Sequence, residues 1–289
     1  MNEDILSLIE YKFPTFSKGQ KRIAALITES YDKTAFMTAS KLGKEAGVSE
    51  STVVRFAMEL GYEGYPEMQK AMQEMVMNRL TTVQRIGVTQ DRIGSGDLVH
   101  TILSGDGDKL RQTTDMVDRD SFQRAVSHIQ NAKNIYVIGT RASSALAVFL
   151  GYYLKFMFES VHIITGGSTG EVLEQLIHTK PGDAVIAFSF PRYSQSTLEG
   201  VSFCRNAGVT VIGITNSQVS PLAEYCDDLL LAKSDMVSIV DSLTAPMSLT
   251  SALIAALASA KGESLEKQYE KLENIWQTHH IYRQQGDTI

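Results

Sequence analysis

Two periodicities divide the chain. From Ser17 to Leu80 apolar residues recur at three- and four-residue spacing, which predicts amphipathic helices. From Asn134 to Leu231 short apolar runs alternate with helical stretches, which predicts strands joined by helices. In the first part, Ile23, Ala24, Leu26 and Ile27 mark a helix over Ser17 to Tyr31, with Ser17 as its N-cap. Leu42 and Ala46 lie one turn apart on a short helix that ends near Gly47, a residue free to take the positive φ that stops a helix. Ser49 caps a second helix whose apolar face is Val53, Val54, Phe56, Ala57 and Leu60, and Gly61 ends it. Helix, short glycine turn, helix fits a helix-turn-helix, whose second helix enters the major groove. It fits a generic capped helical pair equally well. Under the first reading the candidate DNA-contacting residues are Lys44, Ser49, Glu50, Ser51, Thr52 and Arg55, off the apolar stripe.

Pro66 to Leu80 continues as a helix with a methionine stripe (Met68, Met72, Met75, Met77), the pattern of a core or a dimer seam. The periodicity then weakens through Gly87, Gly94, Gly96, Gly105 and Gly107. This predicts a linker with a helix near Asp97 to Leu103, and further helices over 108–117 and 121–130. The strands expected beyond it are 135–138, 161–164, 184–188, 209–214 and 228–231, with helices over 143–159, 171–178 and from Ser196. Runs this apolar are buried on both faces, so the second part reads as a three-layer α/β domain with a five-stranded parallel sheet. Ligands in such sheets bind beyond the carboxyl ends of the strands. The turns that matter are therefore 139–144, 166–170, 189–197 and 215–220.

Composition narrows the function classes. Hydrophobic content of 43% and charged content of 21% are those of a globular protein, and 289 residues allow two modest domains. The net charge of −6 gives no general attraction to nucleic acid. The segment from Thr15 to Lys70 has eight Lys or Arg against seven acids, so one copy would bind DNA weakly and a salt-sensitive dimer would be required. Cys204 and Cys226 have neither metal-ligand nor disulfide spacing and read as small buried hydrophobes in a reducing cytosol. The acidic start, without a basic then apolar leader, and the absence of a long apolar span favour a cytoplasmic protein with no membrane partner.

The chemistry sits in two turns. Gly139-Thr140-Arg141-Ala142-Ser143-Ser144 follows the first strand where a dinucleotide fingerprint would stand, yet carries only its first glycine, and no acid ends the second strand. No P-loop is present, and nothing calls for a cofactor or a metal. The turn 189–197 offers Ser189, Ser194, Ser196 and Thr197 before a helix start, the arrangement that takes a phosphate on unpaired backbone N–H groups.

The residues Thr38 to Tyr65, with Val-Ser-Glu-Ser-Thr-Val-Val-Arg-Phe at their centre and Leu-Gly-Tyr-Glu-Gly-Tyr after it, resemble the helix-turn-helix of the RpiR family of bacterial transcription regulators. The turn Gly139 to Ser144, the loop Ser189 to Thr197, then Ile214-Thr215-Asn216 and Ser220-Pro221-Leu222-Ala223 resemble that family's sugar isomerase (SIS) domain, a flavodoxin-like fold. The resemblance covers nearly the whole chain. It implies a regulator, a repressor by family habit, that binds double-stranded operator DNA as a homodimer or dimer of dimers and senses a phosphorylated sugar or sugar acid. The implied boundaries are 1–78 for the helix-turn-helix domain, 79–120 for the linker, 121–265 for the SIS domain and 266–289 for a helical tail. Ser143, with Thr140 or Ser144, matches the family's first phosphate turn, and Ser189, Ser194 and Thr197 the second. Two departures stand out: Arg141 replaces a glycine, and Phe190-Pro191-Arg192-Tyr193 lengthens the second turn. Arg192 and Arg141 are read as guanidinium forks for a phosphate or a sugar-acid carboxylate, against the plain alternative of a solvated loop or interface arginine.

Aldose–ketose isomerisation needs a base beside the proton it moves, which SIS isomerases supply as Glu and His. None of the six histidines falls in a recognised turn, and Glu171 suits a helix N-terminus for stability alone. The reading is of a sensor without catalytic residues, linked to DNA binding through 81–120. The rivals are a phosphosugar isomerase with a regulatory helical head, and a DNA-binding protein whose SIS domain only dimerises.

Overall fold

The computed structural model describes residues 5–79, 97–235 and 240–282. The chain forms two compact units, 1–96 with 236–240, and 97–235 with 241–289. Gly87, Gly94 and Gly96 of the expected linker lie outside the described residues.

The first unit contains helices α1 (Ile5–Lys12), α2 (Lys18–Glu29), α3 (Tyr31–Thr34), α4 (Ala39–Ala46), α5 (Glu50–Glu59) and α6 (Tyr65–Arg79). Its core joins Ile5 and Ile9 of α1, Ile23, Ala24 and Ile27 of α2, Leu42 of α4, Val53, Phe56 and Ala57 of α5, and Met68 and Met72 of α6. Met68 and Met72 of the methionine stripe therefore face the core, with Met75 packed partly buried against it. Ser17 caps α2 in a full capping box with Gln20, as its spacing predicts. The helix α1 was not read from the sequence, because eight residues with two buried isoleucines give too short a pattern.

The second unit is α7 (Leu98–Met116), α8 (Arg119–Asn131), β1 (Ile135–Ile138), α9 (Ser144–Met157), β2 (Val161–Ile164), α10 (Thr169–Leu176), β3 (Ala184–Phe188), α11 (Gln195–Asn206), β4 (Thr210–Thr215), β5 (Asp228–Leu231), α12 (Thr244–Lys261) and α13 (Glu263–Thr278). All strand pairs are parallel, in the order β2-β1-β3-β4-β5. Alternate residues of one strand feed opposite cores. Ile135, Val137, Ile186, Phe188, Ile212 and Ile214 pack with α8, α9 and α12, while Tyr136, Ile138, Val185, Ala187 and Val211 pack with α10 and α11. The central strands β1, β3 and β4 are buried on both faces almost throughout, and β2 at the edge exposes His162.

One helix departs from the sequence reading. The stretch read as a linker helix near 97–103 and a separate helix from 108 is the single helix α7, running through Gly105 and Gly107. A glycine in a helix interior costs about 1 kcal/mol against alanine, and tertiary contacts outweigh it here. Asp97 caps the helix, accepting from His100 N at 3.0 Å. Asp106 accepts from Ser242 Oγ at 2.6 Å and Thr244 Oγ1 at 2.8 Å, and Lys109, itself buried, lies 3.5 Å from Asp106. Burial opposes ionisation of Asp106, but those two hydroxyls and Lys109 outweigh it and hold the carboxyl below the usual range.

Candidate phosphosugar cleft and DNA-reading helix

In a sheet of order 2-1-3-4-5 the chain reverses direction between β1 and β3, and the turns leaving those two strands part to either side. Here they are the turns 139–144 and 189–197, so the topology opens a cleft where the hydroxyls were expected. Two contacts hold its walls together. Thr140 and Thr197, both buried, share a hydrogen bond of 3.0 Å between their hydroxyls. Gly200 on α11 approaches so closely that a Cβ there would meet Val172, Ile138 and Leu176 at 2.9, 3.0 and 3.1 Å, which sets α11 tightly against β1 and α10.

The remaining candidates fall around this pair. Ser189 follows β3 at 2% exposure, its backbone N–H donates to Ile214 O, and its hydroxyl has no hydrogen-bond partner among the described residues. A buried hydroxyl left unpaired costs about 1–3 kcal/mol, so such a group is commonly kept for a partner. Ser194 occupies the N-cap of α11 but does not cap it, whereas Ser168 caps the neighbouring α10. Thr197 N and Leu198 N donate to Ser194 O at 3.1 Å, but no side chain caps the N-terminus of α11, whose dipole keeps its positive end there. Ser196 lies 3.4 Å from Thr169 Oγ1, and Ser143 and Ser144 are half-buried at the junction of a 3-10 turn (Arg141–Ser143) with α9. The inserted residues are anchored. Phe190 is buried, and Tyr193 donates through its hydroxyl to Asn216 Oδ1 at 2.9 Å. Arg141 and Arg192 are exposed and sit at φ 54° and 64°.

Of the groups that could act as a base, Glu171 stands near the cleft, just after the turn 166–170, and His128 does not. Glu171 is exposed at the start of α10, and its Oε2 lies 2.6 Å from where a Cβ on Gly167 would stand, so the carboxylate curls over its own helix N-terminus. His128 meets the buried Asp228 at 2.7 Å, beside Arg124 at 2.9 Å, at the amino end of β5 and away from the cleft. Burial pushes the Cys204 and Cys226 thiols up to about 11 and 12, which makes them poor nucleophiles. Among the described residues no cluster of metal-binding side chains occurs, and no helix is long and apolar enough to cross a membrane.

In the first unit, Gly47 ends α4 at φ 64°, and Val48 N donates back to Gly43 O at 2.8 Å. A Cβ on Gly43 would meet Val48 O at 3.0 Å, so both glycines are needed for the turn to close. Ser49 caps α5 through Thr52 N, and its hydroxyl also touches those of Ser51 and Thr52 at 2.9 Å each. Lys44, Glu50, Ser51 and Arg55 are exposed and Thr52 is half-buried. Among the described residues no ion pair ties Arg55 to Glu59, whose backbone carbonyl accepts instead from Lys12 Nζ at 2.6 Å.

Known proteins match both units. Residues 3–79 match the helix-turn-helix domain of the rpiR family, and residues 128–256 match the SIS domain. An uncharacterised HTH-type transcriptional regulator of Clostridium perfringens is 24% identical over 213 residues, covering 73% of this chain and 75% of that protein. The HTH-type transcriptional regulator HexR of Pseudomonas aeruginosa is 23% identical over 225 residues, 76% of each chain. Among solved structures, the sugar isomerase domain of an RpiR transcription factor from Sphaerobacter thermophilus is 27% identical, with a TM-score of 0.58, covering 61% of this chain and 98% of that one. The Vibrio vulnificus NanR protein complexed with ManNAc-6P shares the fold over 94% of this chain and 97% of its own, at 21% identity and a TM-score of 0.58.

Proposed function

The chain belongs to the RpiR family of helix-turn-helix transcription regulators, and we propose that it represses carbohydrate-metabolism genes under the control of a phosphorylated sugar or sugar acid bound in its SIS domain. The observation that carries the effector reading is the unpaired, buried Ser189 hydroxyl in the turn that leaves β3, the turn that Thr197 bonds to Thr140 of the turn leaving β1. Ser143, Ser144, Ser194 and Ser196 complete a phosphate cradle with the α11 N-terminus. That NanR, of the same fold, is complexed with ManNAc-6P supports the ligand class. Glu171 and His128 are committed to their own helix and ion pair, which supports binding without turnover.

On the DNA side, Arg55, Lys44 and the hydroxyl face of α5 meet the operator, Ser49 being its N-cap. The near-neutral charge of this segment requires two copies to share the duplex. A homodimer, acting in the cytoplasm, supplies them, and the exposed Val148 and Tyr152 on α9 give it an apolar surface to bury. The proposed domain limits remain 1–78, 79–120, 121–265 and 266–289, with α7 of the second segment belonging to the second compact unit. A thermal-shift screen of the full chain against sugar phosphates tests the effector reading. A ligand at 100 times its dissociation constant stabilises by about 2.7 kcal/mol, and a screen without a stabilising compound contradicts it in favour of a domain that only dimerises. Turnover of a stabilising compound, lost on Glu171→Gln, would favour the enzyme instead.

A further inference from the structure

The DNA-contacting residues expected from the sequence lie on α4, on α5 and in the turn between them, but a third helix reaches the same surface. Gly19, in the first turn of α2, is packed against the start of α5. A Cβ there would meet Val48 Cγ1 at 3.3 Å and Thr52 Cγ2 at 3.5 Å. The missing side chain thus seats α2 beside the end of α5 whose residues meet base edges in a helix-turn-helix.

Arg22 stands one turn further along α2. Its Nη1 lies 3.2 Å, and its Cζ 4.0 Å, from where a Cβ on Gly47 would stand, so the guanidinium rests on the turn between α4 and α5. Arg22 is exposed and, among the described residues, makes neither a hydrogen bond nor an ion pair. Glu45 and Glu50, which flank the turn in sequence, are exposed and do not pair with it. Neighbouring cations are engaged elsewhere: Lys21 lies over the Phe13 ring at 5.5 Å, and Lys12 donates to Glu59 O at 2.6 Å. Lys18, one turn before Arg22 on the same side of α2, is exposed and extends the basic edge.

An arginine whose donors are all unused, held at the rim of a reading helix, has a partner at hand once that helix enters the groove. The strand bordering the groove offers phosphates, which the planar fork matches through two parallel hydrogen bonds. Bases are reached from α5 itself, whereas Arg22 comes from the helix packed beside it. Contacts of that kind set the position of a reading helix without reading sequence.

We infer that Arg22 is a phosphate clamp that fixes how α5 sits in the groove. This rests on DNA binding by the helix-turn-helix.

The test is fluorescence anisotropy of the full chain across a salt series, on a duplex that wild type selects from a random library and on a scrambled duplex of equal length. Each phosphate contact adds about 0.9 to the salt slope, and a dimer carries Arg22 twice. Arg22→Gln is therefore expected to flatten the slope by about two units on both duplexes, weakening binding by about tenfold at about 200 mM salt and by more at lower salt. Arg22→Lys keeps the charge and should keep the slope. Lys180→Gln removes an equal, exposed charge from the other unit and should change nothing. Tm should stay at the wild-type value in all three. Arg22→Gln that binds like wild type overturns the clamp, and so does a loss confined to the selected duplex, which marks a base contact. The clamp also fails if Lys180→Gln flattens the slope equally, since net charge then explains the effect, or if Arg22→Gln lowers Tm, since Arg22 then props the turn. If wild type selects no duplex at all, DNA binding itself is overturned, and the clamp with it.

Discussion

Arg55→Ala is expected to lower operator affinity by about thirtyfold or more while leaving the stability of the helical unit and phosphosugar binding unchanged. Arg55 is exposed on α5, on the side away from the buried Val53, Phe56 and Ala57, and no ion pair to Glu59 holds it among the described residues. Removing it therefore costs the fold little, in keeping with the small effect of surface substitutions. A good arginine contact to a base edge is worth about 1–3 kcal/mol, and a dimer reading two half-sites loses it twice, about 2–6 kcal/mol in all. Arg55→Lys keeps the charge but not the fork, so it should fall between wild type and alanine if Arg55 reads a base. If Arg55 contacts only phosphate, lysine should restore binding and alanine should flatten the salt dependence by about one unit of slope per half-site. Fluorescence anisotropy on a selected operator duplex, repeated at several salt concentrations, separates these outcomes. Joint loss of DNA and phosphosugar binding would instead indicate a folding defect.

Ser189→Ala is expected to weaken phosphosugar binding by roughly ten- to hundredfold while leaving the unliganded protein as stable as wild type or more so. The two signs come from one observation. A buried hydroxyl without a partner penalises the fold, and alanine removes that penalty at almost constant volume. Toward a phosphate oxygen the same hydroxyl donates a charge-assisted hydrogen bond worth about 1.5–3 kcal/mol, which the variant loses. Urea unfolding of the unliganded protein and calorimetry with the compound found in the screen read the two effects separately. A variant that is destabilised yet binds normally would make Ser189 a packing residue and move the phosphate elsewhere.

Much of this architecture is legible in the sequence, for reasons that differ from element to element. The strands β1, β3 and β4 announce themselves because burial on both faces leaves no polar position in Ile135–Ile138 or Ala184–Phe188. The turn between α4 and α5 is legible because Gly47 and Ser49 each perform a local backbone task, ending one helix and capping the next. The candidate turns follow from the same logic, since hydroxyls after an apolar run have few other places to be.

What stayed hidden depends on residues distant in the chain. The pairing of Asp228 with Arg124 and His128 spans 104 and 100 positions and has no local signature. Gly105 and Gly107 look like linker residues until Asp106 and Lys109 are seen bonded into the segment before α12. Within the cleft, the hydroxyls of Ser189, Ser194, Ser196 and Thr197 are equivalent as sequence. Only packing distinguishes Thr197, bonded to Thr140, from Ser189, buried without a partner. Arg141 is visible in the sequence as a departure from glycine, but the left-handed backbone that it retains there is not. Thr169, Tyr193 and Asn216 belong to the cleft through contacts of 3.4 and 2.9 Å that no spacing rule selects.

Occupation of the cleft in one unit is expected to alter DNA binding by the other. A ligand does this only through different affinities for the DNA-competent and DNA-incompetent states, and couplings of this kind run to about 1–3 kcal/mol, or 5- to 150-fold. The direct measurement is operator affinity of the full chain, at fixed salt, with and without a saturating concentration of the compound that stabilises it. A shift of at least fivefold is expected in wild type and none at the same ligand concentration in Ser189→Ala. Equal operator affinity with and without a ligand shown by calorimetry to be bound would contradict it.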